Sequence, residues 1–279
     1  MTTRKTTKKA VSPAPAKKTA ASGAAARTAS TARMHEIFAP TAPDTPPVVE
    51  PSAPTSGLPT EDQATSGVGP NEASWIMTEN FRPERPEAAT ARQAATEQGI
   101  EPVSPGVATM LTFLTRTCHA HSVVEIGSGT GVSGLALFAG MVSDGVLTSI
   151  DTDSEAQGIA RRVLREAGIP SNRFRLISGD ALTVMPKLSD AAYDLVFIDG
   201  DKLEYSEYIE QAQRLLRTNG VLVVNNALWY NLVADTSNED NETIVIREAL
   251  DAVSTMDDVW LPVLLPVGNG LLVASRTDG

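Results

Sequence analysis

A glycine-rich turn and the acidic residues near it are the first candidates for chemistry in this sequence. The run Glu-Ile-Gly-Ser-Gly-Thr-Gly at 125–131 follows a short apolar segment and precedes a helical pattern. Glycine at a strand-to-helix turn lets the backbone approach a ligand closely, and nucleotide-type ligands bind at the carboxyl ends of such strands. Asp151 ends the next apolar segment, where a carboxylate can accept hydrogen bonds from both hydroxyls of a ribose.

The spacing of the glycines distinguishes between classes of ligand. A dinucleotide pattern G-x-G-x-x-G begun at Gly127 requires glycine at position 132, where the chain has Val132. The match that does exist begins two residues late and uses Gly129, Gly131 and Gly134. The observed acid-x-G-x-G-x-G is the form seen in methyltransferases that use S-adenosylmethionine (SAM), which makes SAM the favoured ligand. A nicotinamide or flavin nucleotide and a purely structural turn remain alternatives.

Two further turns bear on the same ligand. The segment 178–181, Ser-Gly-Asp-Ala, follows the third apolar run and could lie against the edge of an adenine. For Asp151 the alternative to ribose binding is helix capping, since Asp153 and Ser154 begin the next helical pattern. Both interpretations of Asp151 stay open at the level of sequence.

The elements that position these residues alternate between apolar runs and helical patterns. The apolar runs lie at 122–126, 146–150, 174–178, 194–198 and 220–224, and the helical patterns lie at 131–142, 154–168, 181–188 and 203–217. Three further helices are predicted before them, from Asn71, from Pro86 to Gln98, and from Ser104-Pro105. This alternation predicts a Rossmann-like, doubly wound α/β fold with a mostly parallel sheet.

The C-terminal end departs from this alternation. A helix near 241–254 is followed by apolar runs at 259–266 and 270–275, which Gly268-Asn269-Gly270 joins. That pattern is typical of a β-hairpin, so the sheet should have seven strands with the last one antiparallel.

Charge and composition divide the chain at about residue 70. Residues 1–33 carry +8, residues 34–70 are Pro-rich and carry −5, and the total of −11 leaves −14 for residues 71–279. We expect 1–70 to be a disordered tail, with a polyanion-binding arm and a transit peptide as alternatives, and 71–279 to be one catalytic domain. The acidic body argues against nucleic acid as a partner.

Cysteine content and hydropathy indicate the cellular compartment in which the protein is expected. Cys118 is the only cysteine, and no apolar run approaches the roughly 20 residues that span a bilayer. Met1 is not followed by an apolar leader segment. We therefore expect a cytoplasmic protein without a membrane span.

From Pro102 to Gly279 the chain resembles the metal-dependent catechol and caffeoyl-CoA type O-methyltransferases, especially their small bacterial members. The matching segments are Val-Ser-Pro at 103–105, Val-Val-Glu-Ile-Gly-Ser-Gly-Thr-Gly-Val-Ser at 123–133, Leu-Thr-Ser-Ile-Asp at 147–151, Asp-Leu-Val-Phe-Ile-Asp-Gly-Asp-Lys at 194–202, Asn-Asn-Ala-Leu-Trp at 225–229 and Leu-Pro-Val-Gly-Asn-Gly-Leu at 265–271. Methyl transfer to a hydroxyl of a small, catechol-like aromatic acceptor is the activity that the resemblance implies, together with a homodimer.

The resemblance implies a set of SAM-binding positions. They are Val103, Glu125, Gly127, Ser128, Gly129, Gly131, Ser133, Asp151, Thr152, Asp180, Ala181 and Asp199. Val103 and Glu125 would line the methionine end of the cofactor. The glycine turn and the Ser133 hydroxyl would hold its carboxylate near a helix N-terminus, where an anion is favoured. Asp151 would hold the ribose, with Thr152 beside it.

The resemblance also implies the catalytic groups. Asp199 would lie beside both SAM and a divalent cation such as Mg²⁺, Asp201 near the SAM amine, and Lys202 near the substrate hydroxyl. Methyl transfer from sulfonium to oxygen requires a phenolate or a group close to one, and a hard cation lowers the pKa of a phenol. Lys202 could accept the proton or stabilise the anion as a cation.

One departure from the family pattern concerns the metal. Members of the family have Asp-Asn after the fifth strand, whereas this chain has Asn225-Asn226. The ligand set would then be Asp199, Asn225 and Asn226, with a single carboxylate, so metal affinity should fall. The alternative is a metal-free enzyme in which Lys202 alone handles the proton.

Three other functions compete with methyl transfer to a small acceptor. A SAM-binding protein with weakened catalysis and a regulatory role is motivated by Asn225. A nicotinamide oxidoreductase is disfavoured by the spacing of the glycines, and a nucleic-acid methyltransferase is disfavoured by the acidic body.

Overall fold

The computed structural model describes residues 71–277, so the tail predicted for 1–70 lies outside the described residues. Its strands are β1 Ser122–Ile126, β2 Val146–Asp151, β3 Phe174–Ser178, β4 Tyr193–Ile198, β5 Leu216–Asn225, β6 Trp260–Leu265 and β7 Leu271–Arg276. Its helices are α1 Glu72–Glu79, α2 Pro86–Glu97, α3 Pro105–Thr117, α4 Val132–Gly140, α5 Ser154–Glu166, α6 Ala181–Val184, α7 Tyr205–Leu215 and α8 Asn241–Thr255. Short 3₁₀ turns lie at Ser171–Arg173, Met185–Lys187, Lys202–Glu204 and Trp229–Asn231.

The seven strands form one sheet in the order β3-β2-β1-β4-β5-β7-β6. Strands β1 to β5 pair in parallel, and β7 is antiparallel to both β5 and β6. The predicted α/β class, the seven strands and the antiparallel last strand are confirmed. Strand order reverses between β1 and β4, and ligands of open α/β sheets bind at the carboxyl ends of the strands beside such a switch point.

The core consists of one apolar cluster on each face of the sheet. One cluster joins the sheet to α6, α7 and α8 through side chains such as Tyr205, Leu215 and Ile246. The other joins it to α2, α3, α4 and α5 through side chains such as Leu111, Leu137 and Leu164. Strands covered on both faces are mostly apolar, which explains the apolar character of β1 and β4; Glu125 and Asp194 are their buried polar exceptions.

Local capping explains where the helices near the cleft begin. The Ser104 hydroxyl accepts a hydrogen bond from the backbone N–H of Val107, and Pro105 follows it at the first position of α3. The Asp153 carboxylate accepts from the N–H groups of Glu155 and Ala156 and starts α5. The predicted cap at Asn71 is also present, since its side chain accepts from Ser74 N–H.

Two elements differ in length from the predictions. Strand β5 begins at Leu216, four residues before the predicted run, because residues 217–219 are polar and exposed and give no apolar signal; Asn219 among them has a positive φ of 60°. The helix predicted over 181–188 is a four-residue helix followed by a 3₁₀ turn that contains Pro186. Proline lacks the N–H that the next helical hydrogen bond needs. Of the helices in 71–277, none has the length and apolar character to cross a bilayer.

Candidate functional site

A cleft of ≈450 Å³, open to solvent, lies at the carboxyl ends of β1, β2 and β4. It is lined by Ile100, Glu101, Pro102, Val103, Gly127, Ser128, Gly129, Thr130, Val132, Ser133, Asp151 and Asp199. Seven of the predicted cofactor-binding residues are brought together here: Val103, Gly127, Ser128, Gly129, Ser133, Asp151 and Asp199. The cleft therefore lies at the glycine turn that the sequence predicted to bind a ligand.

The glycine turn is fixed by close backbone packing. Gly127 has a φ of +89°, and a Cβ placed on it would lie 2.3 Å from the backbone oxygen of Asp199. Gly131 has a φ of +95°, and a Cβ there would lie 3.1 Å from Ala160 in α5. Any other residue at Gly127 would separate β1 from β4 at the floor of the cleft.

Asp151 organises the turn and does not cap the helix. One carboxylate oxygen accepts hydrogen bonds from Gly129 N–H at 2.8 Å and from the Ser128 hydroxyl at 3.3 Å. The other accepts from Asp153 N–H at 2.8 Å. Since Asp153 itself caps α5, the capping interpretation of Asp151 is wrong. Its carboxylate faces the cleft with lone pairs left for a further donor.

Glu125 is a buried carboxyl group behind the turn. It is 1% exposed, and its Oε2 accepts from the Ser149 hydroxyl at 2.5 Å. Burial raises its pKa to about 7, although hydrogen bonds from Ser133 and Ser149 act in the opposite direction. Its Oε1 has no hydrogen-bond partner among the described residues. A buried carboxylate oxygen without a partner is costly, so this atom suits a cationic ligand group.

A second cluster surrounds Asp199, at the carboxyl end of β4. Its Oδ1 accepts from the Asn226 side-chain amide at 3.2 Å and lies 3.5 Å from the Lys202 ammonium nitrogen. Asn225, the last residue of β5, is buried close to this carboxyl group. Burial raises the pKa of Asp199 to about 6, against the lowering effects of Lys202 and Asn225.

These residues do not fit a divalent cation. An ionised carboxylate can only accept hydrogen bonds, and Asn226 turns its NH₂ group toward Asp199 and its carbonyl oxygen away from it. The Asn226 oxygen therefore does not converge with the Asp199 oxygens, Asn225 brings no charge, and the Lys202 ammonium lies 3.5 Å from Asp199 Oδ1. Across residues 71–277, no group of three or more His, Cys, Asp or Glu side chains is arranged to hold a metal.

Aromatic side chains stand beside Lys202. Its ammonium nitrogen lies 5.4 Å from the ring centre of Tyr205 and 5.9 Å from that of Trp229. The Tyr205 hydroxyl donates to the backbone oxygen of Asn225, which fixes that ring against β5. Tyr230 donates its hydroxyl to Glu101 at 2.6 Å and so joins the loop after β5 to the wall of the cleft.

Other predicted residues lie outside the lining of the cleft. Glu125 and Gly131 support it from behind, and Lys202 lies beside it. Thr152 is exposed, and Ala181 is buried at the start of α6. The carboxylates of Asp180 and Asp201 accept from backbone N–H groups of Thr183 and Leu203 and cap the turns that follow them.

For one wall of the cleft the family resemblance implied only a range, about 71–104, and no individual residue. Ile100, Glu101 and Pro102 lie in the connection between α2 and α3, and no motif marks them. Arg92 holds this wall in place by donating to the backbone oxygen of Val103 at 2.7 Å while it pairs with Glu84. Thr130 and Val132 also line the cleft. Their position next to Gly129 and Gly131 could have identified them as lining residues from the sequence.

The similarity to known proteins lies in the part of the chain that contains the fold and the cleft. The O-methyltransferase family profile matches residues 84–277. A Mycobacterium sp. (strain JLS) relative, whose name assigns it to the O-methyltransferases, is 42% identical over 217 residues, which cover 78% of this chain and 98% of its own. A protein of Mycobacterium tuberculosis (strain H37Rv), named a probable O-methyltransferase, is 40% identical over 79% of this chain and 99% of its own.

A solved structure agrees with these sequence matches. The O-methyltransferase TomG from Streptomyces achromogenes, crystallised in complex with SAM, superimposes with a TM-score of 0.66 at 27% identity, over 75% of this chain and 97% of its own. The family profile and the mycobacterial relatives each cover well over half of the chain, and we conclude that this chain belongs to the O-methyltransferase family.

Proposed function

We propose that this protein transfers a methyl group from SAM to a hydroxyl of a small aromatic, catechol-like acceptor. The observation that carries the proposal is Glu125, a buried carboxylate whose Oε1 has no partner in the described residues and which lies behind the glycine turn. A cationic amino acid joined to a nucleoside satisfies this atom and the Asp151 carboxylate together. Membership of the O-methyltransferase family and the SAM complex of TomG support the cofactor assignment.

The residues of the cleft divide the cofactor between them. Glu125 holds the cationic methionine end, with the buried Val103 side chain beside it. The backbone of the glycine turn and the N-terminus of α4 favour its carboxylate. Asp151 holds the ribose hydroxyls. Thr152, Asp180 and Ala181 lie farther along the same edge, where we place the adenine.

Bound there, SAM supplies a methyl group on a sulfonium centre. Asp199 separates the methionine end of the cleft from Lys202, so the acceptor lies on the Lys202 side. The half-buried Trp229 ring suits an aromatic acceptor, because it can give the flat face of the acceptor apolar contact while Lys202 hydrogen-bonds the acceptor oxygen. The Tyr205 ring is fully buried and packs beneath the ammonium group. A small acceptor is favoured because the hydrogen bond from Tyr230 to Glu101 closes the loop after β5 onto the cleft wall.

Labelled SAM and a panel of catechols test the function. We expect SAM to bind in calorimetry and its labelled methyl group to appear on an acceptor hydroxyl. Binding without transfer to any acceptor would favour the regulatory alternative, and a nicotinamide nucleotide in the mass spectrum of the purified protein would contradict the assignment.

We also propose a homodimer in the cytoplasm. Large apolar side chains are exposed on α1 and on β6, namely Trp75, Ile76, Met77, Leu261 and Val263. Exposed apolar groups of this size mark interaction surfaces. Sedimentation velocity at micromolar concentration should give the mass of two chains, and a single species of 29.5 kDa would contradict the dimer.

A further inference from the structure

One N–H donor of the Lys202 ammonium group is available to a ligand. A lysine ammonium has three N–H donors. One donates to the backbone oxygen of Gly200 at 2.9 Å, and another faces Asp199 Oδ1 at 3.5 Å. The third has no partner within residues 71–277, and the side chain is 14% exposed between the Tyr205 and Trp229 rings. The site is therefore built to hold one oxygen atom of a ligand.

Building on the methyl transfer proposed above, we propose that the acceptor binds through a single ionised hydroxyl, as an acidic phenol or enol, at Lys202, and that no divalent cation takes part. A vicinal pair of hydroxyls serves to chelate a cation, but the Asp199–Asn225–Asn226 group has one carboxylate, and the Asn226 amide nitrogen and the Lys202 ammonium already face it. A catechol is then an acceptor only where one of its hydroxyls is acidic, and only through that oxygen.

The charge around Lys202 explains why the acceptor must be acidic. Asp199 lies 3.5 Å from the ammonium and offsets most of its charge. The Glu101 carboxylate, on the wall of the cleft, adds further negative charge. The Lys202 ammonium, offset in this way by carboxylates, lowers the pKa of a bound hydroxyl far less than a divalent cation does. A phenol with a pKa of about 10, as in tyrosine, would stay protonated there at neutral pH.

The transfer balances without another reactant. The acceptor hydroxyl releases its proton to water when it binds as the anion, and Lys202 keeps its own proton throughout. The acceptor oxygen forms a bond to the methyl carbon as the carbon–sulfur bond of the donor breaks. The electron pair of that bond stays on sulfur, which leaves a neutral thioether and a neutral methyl ether.

Two coloured probes test the proposal without turnover. The full-length protein, treated with EDTA and saturated with S-adenosylhomocysteine, is titrated with 4-nitrophenol and with 4-nitrocatechol. We expect both to bind with similar affinity and to show the absorption band of the phenolate. We expect no binding of Mn²⁺ by electron paramagnetic resonance up to about 1 mM, the range of the weakest calcium sites in proteins.

Matched variants separate the role of Lys202 from its packing. Lys202→Met should weaken binding of both anions at least about tenfold, the loss expected for one charge-assisted hydrogen bond, while the affinity for S-adenosylhomocysteine stays unchanged. Lys187→Met, at an exposed lysine of the 3₁₀ turn after α6, should have no effect. Asn225→Asp should create Mn²⁺ binding, and Asn219→Asp, at the opposite end of β5, should not.

Stoichiometric Mn²⁺ binding by the unmodified protein would overturn the proposal, as would binding of 4-nitrocatechol but not 4-nitrophenol. Failure of both probes to bind to protein saturated with S-adenosylhomocysteine would overturn it too. A failure of the proposed methyl transfer is recognised separately: either SAM and S-adenosylhomocysteine do not bind in calorimetry, or labelled SAM binds and its methyl group reaches no acceptor.

Discussion

At the scale of single residues, Glu125 links the cofactor cleft to the stability of the protein. Its carboxyl group is buried between Ser133 and Ser149, and burial raises its pKa to about 7 from 4.5. Between these two pH values the folded protein holds a proton that the unfolded chain has released. The contribution of Glu125 to stability is therefore complete below pH 4.5 and declines as the pH rises through 7.

We predict that Glu125→Gln removes this decline. The shift in pKa corresponds to about 3 kcal/mol in the free energy of unfolding, since one pKa unit is about 1.4 kcal/mol. Urea unfolding at pH 5 and pH 8, without cofactor, should show a fall for the wild type and a much smaller one for the variant. The exposed Glu210→Gln in α7 is the control. Equal pH dependence in Glu125→Gln and the wild type would contradict the burial argument.

Asp151 is the second residue with a testable role. We predict that Asp151→Ala weakens SAM binding by about 1–3 kcal/mol, because the ribose hydroxyls and the Gly129 N–H would lose a charged partner. Asp153→Ala is the matched control, since it removes the α5 cap without touching the cleft and should lower stability more than SAM affinity. Calorimetry measures the affinity of each. Unchanged affinity in Asp151→Ala would mean that its role is confined to the turn.

At the scale of secondary-structure elements, Glu79 joins three of them. This buried carboxylate, at the end of α1, accepts from Gly106 N–H in the first turn of α3 and from Gly268 N–H in the β6–β7 turn, both at 2.8 Å. A Cβ on Gly106 would lie 2.7 Å from its oxygens, so a larger residue there would displace the carboxylate. The β6–β7 turn that Glu79 holds is hydrogen-bonded through its backbone to the loop after β5, and that loop carries Trp229.

We predict that Glu79→Ala lowers the free energy of unfolding by roughly 2–4 kcal/mol, because two buried N–H groups lose a charged acceptor. The same variant should weaken acceptor binding more than cofactor binding, since the loop after β5 faces the acceptor side. Glu72→Ala, exposed in the same helix, should cost less than about 1 kcal/mol. Denaturant titration of both variants checks the difference, and equal losses would show that Glu79 does not join these elements.

At the scale of the whole molecule, residues 71–277 contain the complete sheet and both apolar clusters. We predict that a chain lacking residues 1–70 unfolds at nearly the same temperature and binds SAM with nearly the same affinity. Differential scanning calorimetry and titration of the two chains make the comparison. A large loss in either quantity would show that the N-terminal region stabilises the catalytic part.

The order of elements and the position of the glycine turn were predictable from the sequence. Apolar runs and helical spacing reflect burial along the local chain, so β1 and β3 were predicted with the bounds that they have. The antiparallel last strand was predictable because Gly268 and Gly270 permit a hairpin turn, and both have positive φ angles. Local signals failed where a proline divided the helix after β3 and where β5 passed through Asn219.

The partners of the site residues were decided only by the tertiary structure. Nothing in the local sequence indicates that Glu101 bonds Tyr230, which is 129 residues away, or that Arg92 holds Val103. Whether Asp151 capped a helix or faced a cleft depended on which of two nearby acids reached the N–H groups of α5. Such contacts depend on the crossovers and the register of the sheet, which bring distant segments together, whereas residue types and spacing report only the burial and turns of each segment by itself.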